Sequence, residues 1–450
     1  MLPRTDADNA VLALVDAVVD DRARHRFVAT FVQEGILREA RPDDHVWRTL
    51  ATAIAAGSTI PALPRLRPSG TPLAPDAGLV CRPASGLAAI APRGAADVEA
   101  ATERGLTAEG AKGDTRFAPP IESVVLDERL VLKAYRVVQP GLSAELEMTA
   151  YLSEEAGFTA VPKLAGWAEV VARDEQVTTI ALLEEFVADA VTADIAIGDQ
   201  LADWIRAPGE VSVEWATEIA DPLGALVADL HVALVSPPAD AVDFVPRPAT
   251  RDELRSWRRA AHRDLDDAVT RLRGVDHAAA GALSATAPDL AARLTLFDAL
   301  ASVPVVSRVH GDLRLSNVLF APDGARIVGF DGDRAEPIAA RRAYASPLRD
   351  VAAILVSLTE VARSASRRAM AASPEASAGI AHVGIDVDEW LARSRERFLA
   401  AYRRGVREAG APFDVDGDLV AAFEAAETVR QIVRSLRAGR IPLVDQAHSS

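Results

Sequence analysis

The stretch VHGDLRLSNVLFAPDGARIVGFDGD concentrates side chains that could do chemistry around one predicted hairpin. His310, Asp312 and Asn317 follow an apolar run, and the turn APDG then reverses the chain into ARIVGF. The reversal brings Asp331 and Asp333 back towards the start of the motif. One carboxylate could then orient a hydroxyl group while other oxygen ligands hold Mg²⁺ and phosphates. The spacing favours a phosphoryl-transfer site over the alternative, an ordinary hairpin with solvated acids.

Lysine is scarce in this chain and occurs only at Lys112, Lys133 and Lys163. Lys133 stands in the middle of the strand-like run LVLKAYR, where an unpaired ammonium group would be costly to bury. Glu145 or Glu147 in the next predicted helix could pair with it and hold its charge near the phosphates of a nucleotide. The alternative is an edge-strand lysine that faces solvent.

The elements around these residues follow a definite order along the chain. IESVVLDERLVLKAYR alternates about the turn DER and predicts a β-hairpin at residues 121–136. SAELEMTAYLSEEAG predicts a helix with Ser143 as its N-cap and Gly157 just past its end. VPKLAGWAEV and TTIALLEEFV predict two more strands, and helical patterns dominate from Asp199 to the end. This order predicts an α+β protein with a small sheet lobe ahead of a large helical lobe.

The N-terminal part of the chain has a different pattern. NAVLALVDAVVDDRARHRFVATFV has the apolar spacing of a helix. Between Pro61 and Pro92, prolines and glycines recur every few residues, which predicts strands joined by turns or a linker. We therefore place a domain boundary near residue 90.

Composition limits the classes of partner. The 450 residues allow more than one hydrophobic core, and the net charge of −16 argues against nucleic acid or an anionic membrane as the main partner. A neutral or cationic small molecule fits better. Cys81 is the only cysteine, which excludes an intramolecular disulfide and a cysteine-based zinc site. The N-terminus lacks the basic region of a signal peptide, and no apolar run reaches the roughly 20 residues that span a bilayer. These features predict a cytoplasmic protein.

Several motifs resemble those of one superfamily. HGDLRLSN is similar to the HGDxxxxN catalytic loop of the aminoglycoside phosphotransferases and eukaryotic-like kinases. More narrowly, GFDGDRAEPIAARR, SPLRDVAAIL, KAYRVVQPGLSAELE and the final IPL resemble segments of the bacterial maltokinases. The resemblance covers most of the chain from about residue 120 onward.

The resemblance implies a bilobal eukaryotic-like kinase fold. Residues 1–90 would form an N-terminal cap subdomain, by position only, and residues 91–187 the rest of a small β-rich N-lobe. Residues 188–450 would form a large, mainly helical C-lobe that carries the catalytic loop and a sugar-binding tail.

The same resemblance assigns roles in the catalytic loop, with ATP and Mg²⁺ as the implied cofactors. Asp312 would accept or orient the proton of the attacking sugar hydroxyl, and Asn317 would bind Mg²⁺. Asp350 in SPLRD would hold the catalytic loop, although a helix N-cap explains it equally well. Glu147 is the preferred partner of Lys133, because the resemblance places the pairing acid there.

The chain departs from the maltokinase pattern at Gly329, which stands where those proteins have their metal-binding aspartate. We expect Asp331 to take over the metal position, with Asp333 assisting. If neither carboxylate can do so, the protein would be a pseudokinase that binds nucleotide poorly.

Nucleotide contacts other than Lys133 are less well defined. No glycine-rich loop precedes the Lys133 strand, so phosphate contacts would come from Ser123 and backbone amides. The hinge between lobes is predicted in LLEEFVADA, where backbone groups from Glu185 to Val187 could bind adenine.

The acceptor is predicted from the last helix. Alignment with the maltokinase tail puts Glu427, Gln431 and Arg434 at the sugar-binding positions, and their spacing places them on one helix face. The alternative is a salt-bridged, solvated face. His310 and Asp312 complete the predicted substrate contacts. Gln431 and Arg434 replace a glutamate and an asparagine, so we expect an amino sugar such as glucosamine, as in the related glucosamine kinase branch.

Three other functions stay open at this stage: a maltokinase, an aminoglycoside phosphotransferase and a non-catalytic pseudokinase. The predicted partner is a small-molecule sugar, without nucleic acid or membrane. The chain would act as a monomer or a homodimer.

Overall fold

A computed structural model gives the structure of the chain. It describes residues 9–19, 23–34, 36–39, 44–61, 77–104, 106–108, 121–172, 176–206, 212–275, 277–334, 336–372 and 380–437. Three features of the sequence lie outside these ranges: the final IPL, most of the proline-rich stretch after Pro61 and the FAPP segment ahead of the Lys133 hairpin.

The β-strands are short except near the N-terminus and beside the Lys133 strand. Their bounds are β1 (Asn9–Val19), β2 (Ala23–Glu34), β3 (Ile36–Glu39), β4 (Thr59–Pro61), β5 (Ala77–Pro83), β6 (Leu106–Ala108), β7 (Ile121–Leu126), β8 (Leu130–Tyr135), β9 (Val137–Val138), β10 (Leu164–Ala172), β11 (Val177–Glu185), β12 (Val191–Thr192), β13 (Arg247–Pro248), β14 (Val305–Val306), β15 (Val318–Ala321) and β16 (Gly324–Ile327).

The longest helices come after residue 190. The bounds are α1 (His45–Ala55), α2 (Leu87–Ile90), α3 (Ala95–Arg104), α4 (Ala144–Ala150), α5 (Ala193–Arg206), α6 (Val213–Ala216), α7 (Ala220–Val235), α8 (Arg251–Val275), α9 (His277–Leu294), α10 (Leu296–Ala299), α11 (Ile338–Arg341), α12 (Leu348–Ala372), α13 (Ile380–Glu408) and α14 (Gly417–Arg437). Among the described helices, none is both long and apolar enough to cross a membrane.

The chain divides into two compact units. Unit 1 comprises Met1–Ala190 and Ala321–Arg342, and unit 2 comprises Val191–Phe320 and Ala343–Ser450. The segment Ala321–Arg342, which the sequence places in the C-lobe, therefore groups with the sheet-containing unit. The separate cap predicted for residues 1–90 stays a prediction.

An antiparallel sheet with the strand order β4-β5-β10-β11-β8-β7-β6 forms the centre of unit 1. The predicted hairpin at 121–136 is confirmed as β7 and β8, with Ser123 opposite Lys133. Asp127 and Glu128 form its turn with φ of 53° and 51°. The hydrophobic core of this unit lies between the sheet and helices α1 and α4, and residues such as Leu50, Leu132 and Leu182 are almost completely buried there.

The predicted helix after the hairpin is also confirmed. Ser143 caps α4 by accepting a hydrogen bond from the Leu146 amide at 3.5 Å. A π-helical turn, Tyr151–Glu155, extends α4, and Gly157 follows with φ +64°. Glu145 and Glu147 therefore lie in a helix whose position is fixed at both ends.

The helix predicted from NAVLALVDAVVDDRARHRFVATFV is wrong. The structure forms β1 and β2 there, paired antiparallel from Asn9 opposite Gln33 to Val19 opposite Ala23. Valine recurs along both segments, and β-branched residues fit a pleated strand better than a helix. The short apolar runs satisfied both patterns, and β-propensity decides between them.

Unit 2 is built from helices that pack closely. Helices α7 and α13 approach each other at glycines on both sides: a Cβ on Gly224 would lie 2.3 Å from the Phe398 carbonyl oxygen, and one on Gly405 would lie 2.7 Å from the Ala228 Cβ. Only glycine permits this approach. Trp257 on α8 and Phe423 on α14 pack with ring centroids 5.3 Å apart.

We expect Gly224→Ala to lower the free energy of unfolding by about 3 kcal/mol, because its methyl group would overlap the α13 backbone. Gly281→Ala is the matched control, because a Cβ there meets nothing within 4 Å and alanine favours the helix by about 0.5–1 kcal/mol. Urea unfolding curves of the two variants and the wild type measure both effects. Equal stability of the two variants would refute the close approach of α7 and α13.

Candidate functional site

The HGD motif follows β14 in unit 2. Ser307 and Ala345 exchange backbone hydrogen bonds of 3.0 and 2.9 Å, which fix the start of the loop. Gly311 has φ +82°, a conformation that side chains rarely adopt. The loop then ends in a short 3₁₀ turn, Leu315–Asn317, whose Leu315 amide donates to the Ser357 hydroxyl at 3.2 Å. The loop therefore has one conformation set by its own backbone contacts.

Asp350 holds the centre of this loop. Its carboxylate is completely buried and accepts hydrogen bonds from the His310 amide at 2.8 Å and the Gly311 amide at 2.9 Å. Arg349 adds a bond of 3.0 Å to the Gly311 carbonyl. The loop-holding role expected of Asp350 is confirmed. The N-cap alternative is wrong, because α12 begins at Leu348 and Asp350 lies within its first turn.

His231 on α7 is a member of this network that sequence reasoning missed. Its Nε2 lies 3.4 Å from an Asp350 oxygen, and its Nδ1 lies 2.8 Å from the Tyr402 hydroxyl on α13. Because the Asp350 carboxylate accepts, we assign the imidazole proton to Nε2 and the hydroxyl proton to Tyr402. Burial disfavours the charged Asp350, but the hydrogen bond from His231 and the positive charge of neighbouring groups such as Arg349 outweigh it and lower the Asp350 pKa.

Asp312 lies at the open side of the loop with its side chain 14% exposed. Arg434 Nη1 is 2.7 Å from Asp312 Oδ1, and Arg314 Nη2 is 3.3 Å from Oδ2. Burial raises the pKa of this carboxyl, while the charges of Arg314 and Arg434 oppose the rise. The Asp312 carboxylate is thus mostly buried and paired with two arginines.

The last helix reaches the same carboxylate through Arg434. Glu427 is 3% exposed and lies 3.2 Å from Arg434 Nη1, and Arg430 also contacts it. Gln431 instead hydrogen-bonds Glu360 on α12. Of the alternative, a salt-bridged and solvated face, the salt bridges of Glu427 with Arg430 and Arg434 are confirmed, whereas its exposure to solvent is wrong because Glu427 is buried. Arg434 connects Glu427 with Asp312, a contact that spacing along α14 could not reveal.

His310 and Asn317 are turned towards the loop itself. His310 is 1% exposed, and its Nδ1 lies 3.4 Å from the Asp312 amide nitrogen. Asn317 Oδ1 accepts a hydrogen bond from the Arg314 amide at 3.2 Å. The predicted substrate contact of His310 and the metal contact of Asn317 stay predictions.

In unit 1, Lys133 pairs with two acids. Its Nζ lies 2.9 Å from Glu145 and 2.7 Å from Glu184, with the lysine side chain 15% exposed. Burial would lower the Lys133 pKa, but the charges of the two glutamates outweigh it and raise the pKa. Tyr135 donates a 2.6 Å hydrogen bond to the other Glu145 oxygen. The solvent-facing alternative for Lys133 is wrong.

The preference for Glu147 as the partner of Lys133 is wrong. Glu147 accepts two hydrogen bonds from Arg342, of 2.9 and 2.7 Å. Residues two apart on a helix do not share a face, so only one of Glu145 and Glu147 can point to β8. Glu184 was missed, although β11 lies beside β8 with Leu182 opposite Lys133.

The other predicted nucleotide contacts are at the edges of this unit. Ser123 lies on β7 opposite Lys133, half-buried. The Glu185 amide donates a hydrogen bond of 2.9 Å to the Lys163 carbonyl, and the Glu185 carboxylate accepts one of 3.1 Å from Lys163 Nζ. Val187 follows the end of β11 and is half-buried. The adenine and phosphate contacts of these three residues stay predictions.

Asp331, the expected metal ligand, is held by two arginines in unit 1. Its Oδ1 lies 3.0 Å from Arg341, and its Oδ2 lies 2.5 Å from Arg334. A cation would have to replace both guanidinium groups, so Asp331 as placed does not fit a metal site. Within the described ranges, no group of three or more His, Cys, Asp or Glu side chains could hold a metal ion.

The backbone explains the glycine that precedes Asp331. Gly329 has φ +79°, in the left-handed region where a side chain is strained. Phe330, 2% exposed, then enters the core, and the Asp333 carbonyl accepts from the Glu336 amide at 2.9 Å. Glycine at position 329 is therefore explained by the backbone conformation of this turn.

Asp350→Asn should lower the free energy of unfolding by about 3 kcal/mol, because it leaves buried donors without a charged acceptor. The pKa of Asp350 is lower in the folded protein than in the unfolded chain, where it is near 4, so the ionised carboxylate stabilises the fold above about pH 4. This stabilisation is lost as the pH falls through the folded-state pKa. The wild type and the variant should therefore converge in stability below about pH 4, in urea titrations across pH. Asp323→Asn, at an exposed aspartate, serves as the control. A difference that grows as the pH falls would contradict this account.

Comparison with known proteins places these features in context. No protein-family model matches the chain. It is 27% identical over 421 residues to a glucosamine kinase of Streptacidiphilus jiangxiensis, covering 92% of this chain and 82% of that protein. It is 29% identical over 320 residues to a glucosamine kinase of Mycolicibacterium smegmatis, covering 70% and 73%.

Solved structures give the same result for the fold. A glucosamine kinase in complex with glucosamine, ADP and inorganic phosphate superposes with a TM-score of 0.65 at 24% identity, covering 95% of this chain and 90% of that one. Crystal form A of a glucosamine kinase superposes with a TM-score of 0.68 at 23% identity, covering 95% of this chain and 86% of that one. The chain is thus similar to the glucosamine kinases over most of its length and has their bilobal α+β kinase fold, as its motifs predict.

Proposed function

We propose that this protein transfers a phosphoryl group from ATP to a hydroxyl group of glucosamine. The observation that carries the proposal is the HGD loop in unit 2, where Asp350 fixes the backbone on both sides of the His310–Gly311 bond and leaves Asp312 partly exposed. The similarity to glucosamine kinases supplies the acceptor.

Asp312 acts on the acceptor hydroxyl. Its carboxylate orients the hydroxyl and takes its proton as the oxygen attacks phosphorus. Arg314 and Arg434 compensate the negative charge of Asp312 while the site is empty of substrate. The acceptor hydroxyl must reach Oδ1 or Oδ2 beside these arginines, so Arg434 also limits the orientation of the sugar.

Lys133 supplies positive charge for the phosphates of ATP. The carboxylates of Glu145 and Glu184 hold its ammonium group on β8 and keep it charged. Ser123 on the neighbouring strand is the nearest candidate for a further phosphate contact. The backbone from Glu185 to Val187 stays the candidate for adenine.

The proposal includes a divalent cation, Mg²⁺, as the counter-ion of the ATP phosphates. Asn317, Asp331 and Asp333 stay the candidate ligands that the motifs predict. Asp331 qualifies only if the ion displaces Arg334 and Arg341 from its carboxylate. An ATP-dependent reaction also makes the cytoplasm the expected compartment.

Glucosamine is favoured over the other acceptors because both curated relatives described above are glucosamine kinases. Glu427, a carboxylate predicted to hold the amino group, is buried and paired with Arg430 and Arg434. Maltose and aminoglycosides lack such support here. The intact Lys133–Glu145 pair and the ordered HGD loop argue against a pseudokinase.

An acceptor screen tests the function. Purified protein with ATP and Mg²⁺ should consume ATP with glucosamine and far less with N-acetylglucosamine, glucose, maltose or kanamycin. Asp312→Asn is the control and should lose several orders of magnitude in kcat while its affinity for ATP stays nearly unchanged. Turnover with maltose and none with glucosamine would refute the acceptor, and no turnover with any sugar would support the pseudokinase.

A pair of variants on α4 tests the role of Lys133. Glu145→Gln should lower kcat/KM for ATP about tenfold or more, because a charge-assisted bond that orients Lys133 becomes neutral. Glu147→Gln, the same change two residues along the helix, should have a much smaller effect, because Glu147 contacts Arg342. Steady-state kinetics with varied ATP measures both variants. A larger loss for Glu147→Gln would show that the pairing differs during turnover.

A further inference from the structure

Six charged side chains of unit 1 are connected by ion pairs and by the action of their charges on one another. Three are acids and three are cations, so together they carry no net charge. This charge cluster consists of Lys133, Glu145, Glu184, Asp331, Arg334 and Arg341. It contains Asp331, the acid expected to bind Mg²⁺, so its charge balance bears on that expected role.

Asp331 is held by two arginines of the cluster. Arg341 Nη1 lies 3.0 Å from Asp331 Oδ1 and donates a hydrogen bond of 3.2 Å to the Asp331 carbonyl oxygen. Arg334 Nε lies 2.5 Å from Asp331 Oδ2. The side chains of Asp331 and Arg341 are only 8% and 10% exposed. Both oxygens of the Asp331 carboxylate are therefore occupied by guanidinium groups.

The backbone also fixes the position of Asp331. Gly329 and Gly332 have φ of +79° and +65°, in the left-handed region that favours glycine. Between them, Phe330 is almost completely buried. A movement of the Asp331 backbone towards other ligands would therefore have to withdraw Phe330 from the core.

Arg334 connects the two halves of the cluster. Its positive charge acts on Glu145 as well as on Asp331. Burial disfavours the charged Glu145, but the charges of Lys133 and Arg334 outweigh it and lower the Glu145 pKa. Tyr135 also donates a hydrogen bond of 2.6 Å to Glu145. The surroundings of the Lys133–Glu145 pair therefore depend on Arg334, which Asp331 holds in place.

The charge balance of the cluster disfavours a divalent cation on Asp331. Burial and the negative charge of Glu145 raise the Asp331 pKa, and the charges of the two arginines oppose this rise. Binding of a cation would displace both guanidinium groups and add two positive charges to a group of side chains that is already balanced. Arg341 would then lose its charged acceptor in a largely buried position, which is costly. The cluster is thus complete without a metal ion.

We propose that Asp331 is a positioning residue and not a ligand of the metal. It closes the charge cluster, holds Arg334 near Glu145 and so keeps the Lys133–Glu145 pair in the arrangement that meets the phosphates of ATP. The consequence for ATP rests on the proposed function, whereas the charge cluster itself does not.

Nucleotide affinity with and without metal tests this role. Calorimetry gives the affinity of the full chain for a non-hydrolysable ATP analogue in Mg²⁺ and in EDTA, and the ratio of the two affinities reports the contribution of the metal. Asp331→Asn should keep this ratio within about threefold of the wild-type ratio, whereas loss of a metal ligand would change it about tenfold or more. Asp323→Asn, at an exposed aspartate of the same unit, is the matched control.

Replacement of Arg334 separates the two roles by the sign of its effect. If Asp331 bound the metal, Arg334→Gln would free its carboxylate and strengthen binding of the Mg²⁺–nucleotide complex. In the charge cluster, the same change leaves an excess negative charge near Lys133 and should weaken binding of the analogue about threefold or more, with and without Mg²⁺ alike. Arg334→Lys restores the charge and should recover the affinity.

These Arg334 variants should fold even if Asp331→Asn does not. The Arg334 side chain is 37% exposed and borders a cavity of about 290 Å³, so its replacement disturbs no closely packed core. Thermal unfolding of each variant verifies the fold before the titrations.

Urea unfolding without nucleotide or metal tests the cluster by itself. Asp331→Asn and Arg341→Gln should each lower the midpoint of unfolding by about 1 M, because each leaves a buried charge without its partner. The double variant should lose clearly less than the sum of the two single losses, because the two residues interact directly.

Three outcomes would overturn the proposal: a tenfold change of the affinity ratio in Asp331→Asn, tighter Mg²⁺–nucleotide binding in Arg334→Gln, or additive losses in the urea experiment. A wild-type protein that binds no nucleotide would refute the proposed function, and the urea experiment would then decide by itself whether Asp331 closes the cluster.

Discussion

The candidate site depends on one interaction: a buried carboxylate accepts hydrogen bonds from two backbone amides. Asp350 bonds the amides of His310 and Gly311, and Asp312 takes its position from that fixed backbone. A buried carboxylate is stable only when donors surround it, and His231 supplies the third. His231 is in turn held by Tyr402 across the close contact of α7 and α13. Packing of small residues in the helical core is thus connected, through the side chains of Tyr402, His231 and Asp350, to the backbone of the HGD loop.

The same principle of charge compensation governs unit 1. The largely buried Lys133 pairs with two glutamates, and the buried Asp331 pairs with two arginines. The two groups also compensate each other. Burial disfavours the charged Glu145, but the charges of Lys133 and of Arg334, a partner of Asp331, outweigh it and lower the Glu145 pKa.

Arginine dominates the surroundings of Asp312, and this separates the chain from a simple carboxylate-lined sugar site. Arg434 stands where the maltokinase pattern has asparagine, and it joins Asp312 to Glu427. Its guanidinium group can hold a carboxylate and still donate to a ligand. Substrate choice therefore depends on the contacts that these guanidinium groups make.

The sequence by itself determined the Lys133 hairpin and α4 with its cap, because these depend on local turn chemistry and alternation, and the resemblance of its HGD motif indicated the kinase fold. It was wrong where a short apolar run fitted two periodicities, at β1 and β2, and where two acids on one helix competed for Lys133. The tertiary structure alone decided that Glu145 faces β8, that Glu184 and His231 complete the two networks, and that Arg434 reaches Asp312. Each of these is a contact between residues distant in sequence, and the side chain that makes it is selected by packing and burial, which spacing along the chain does not encode.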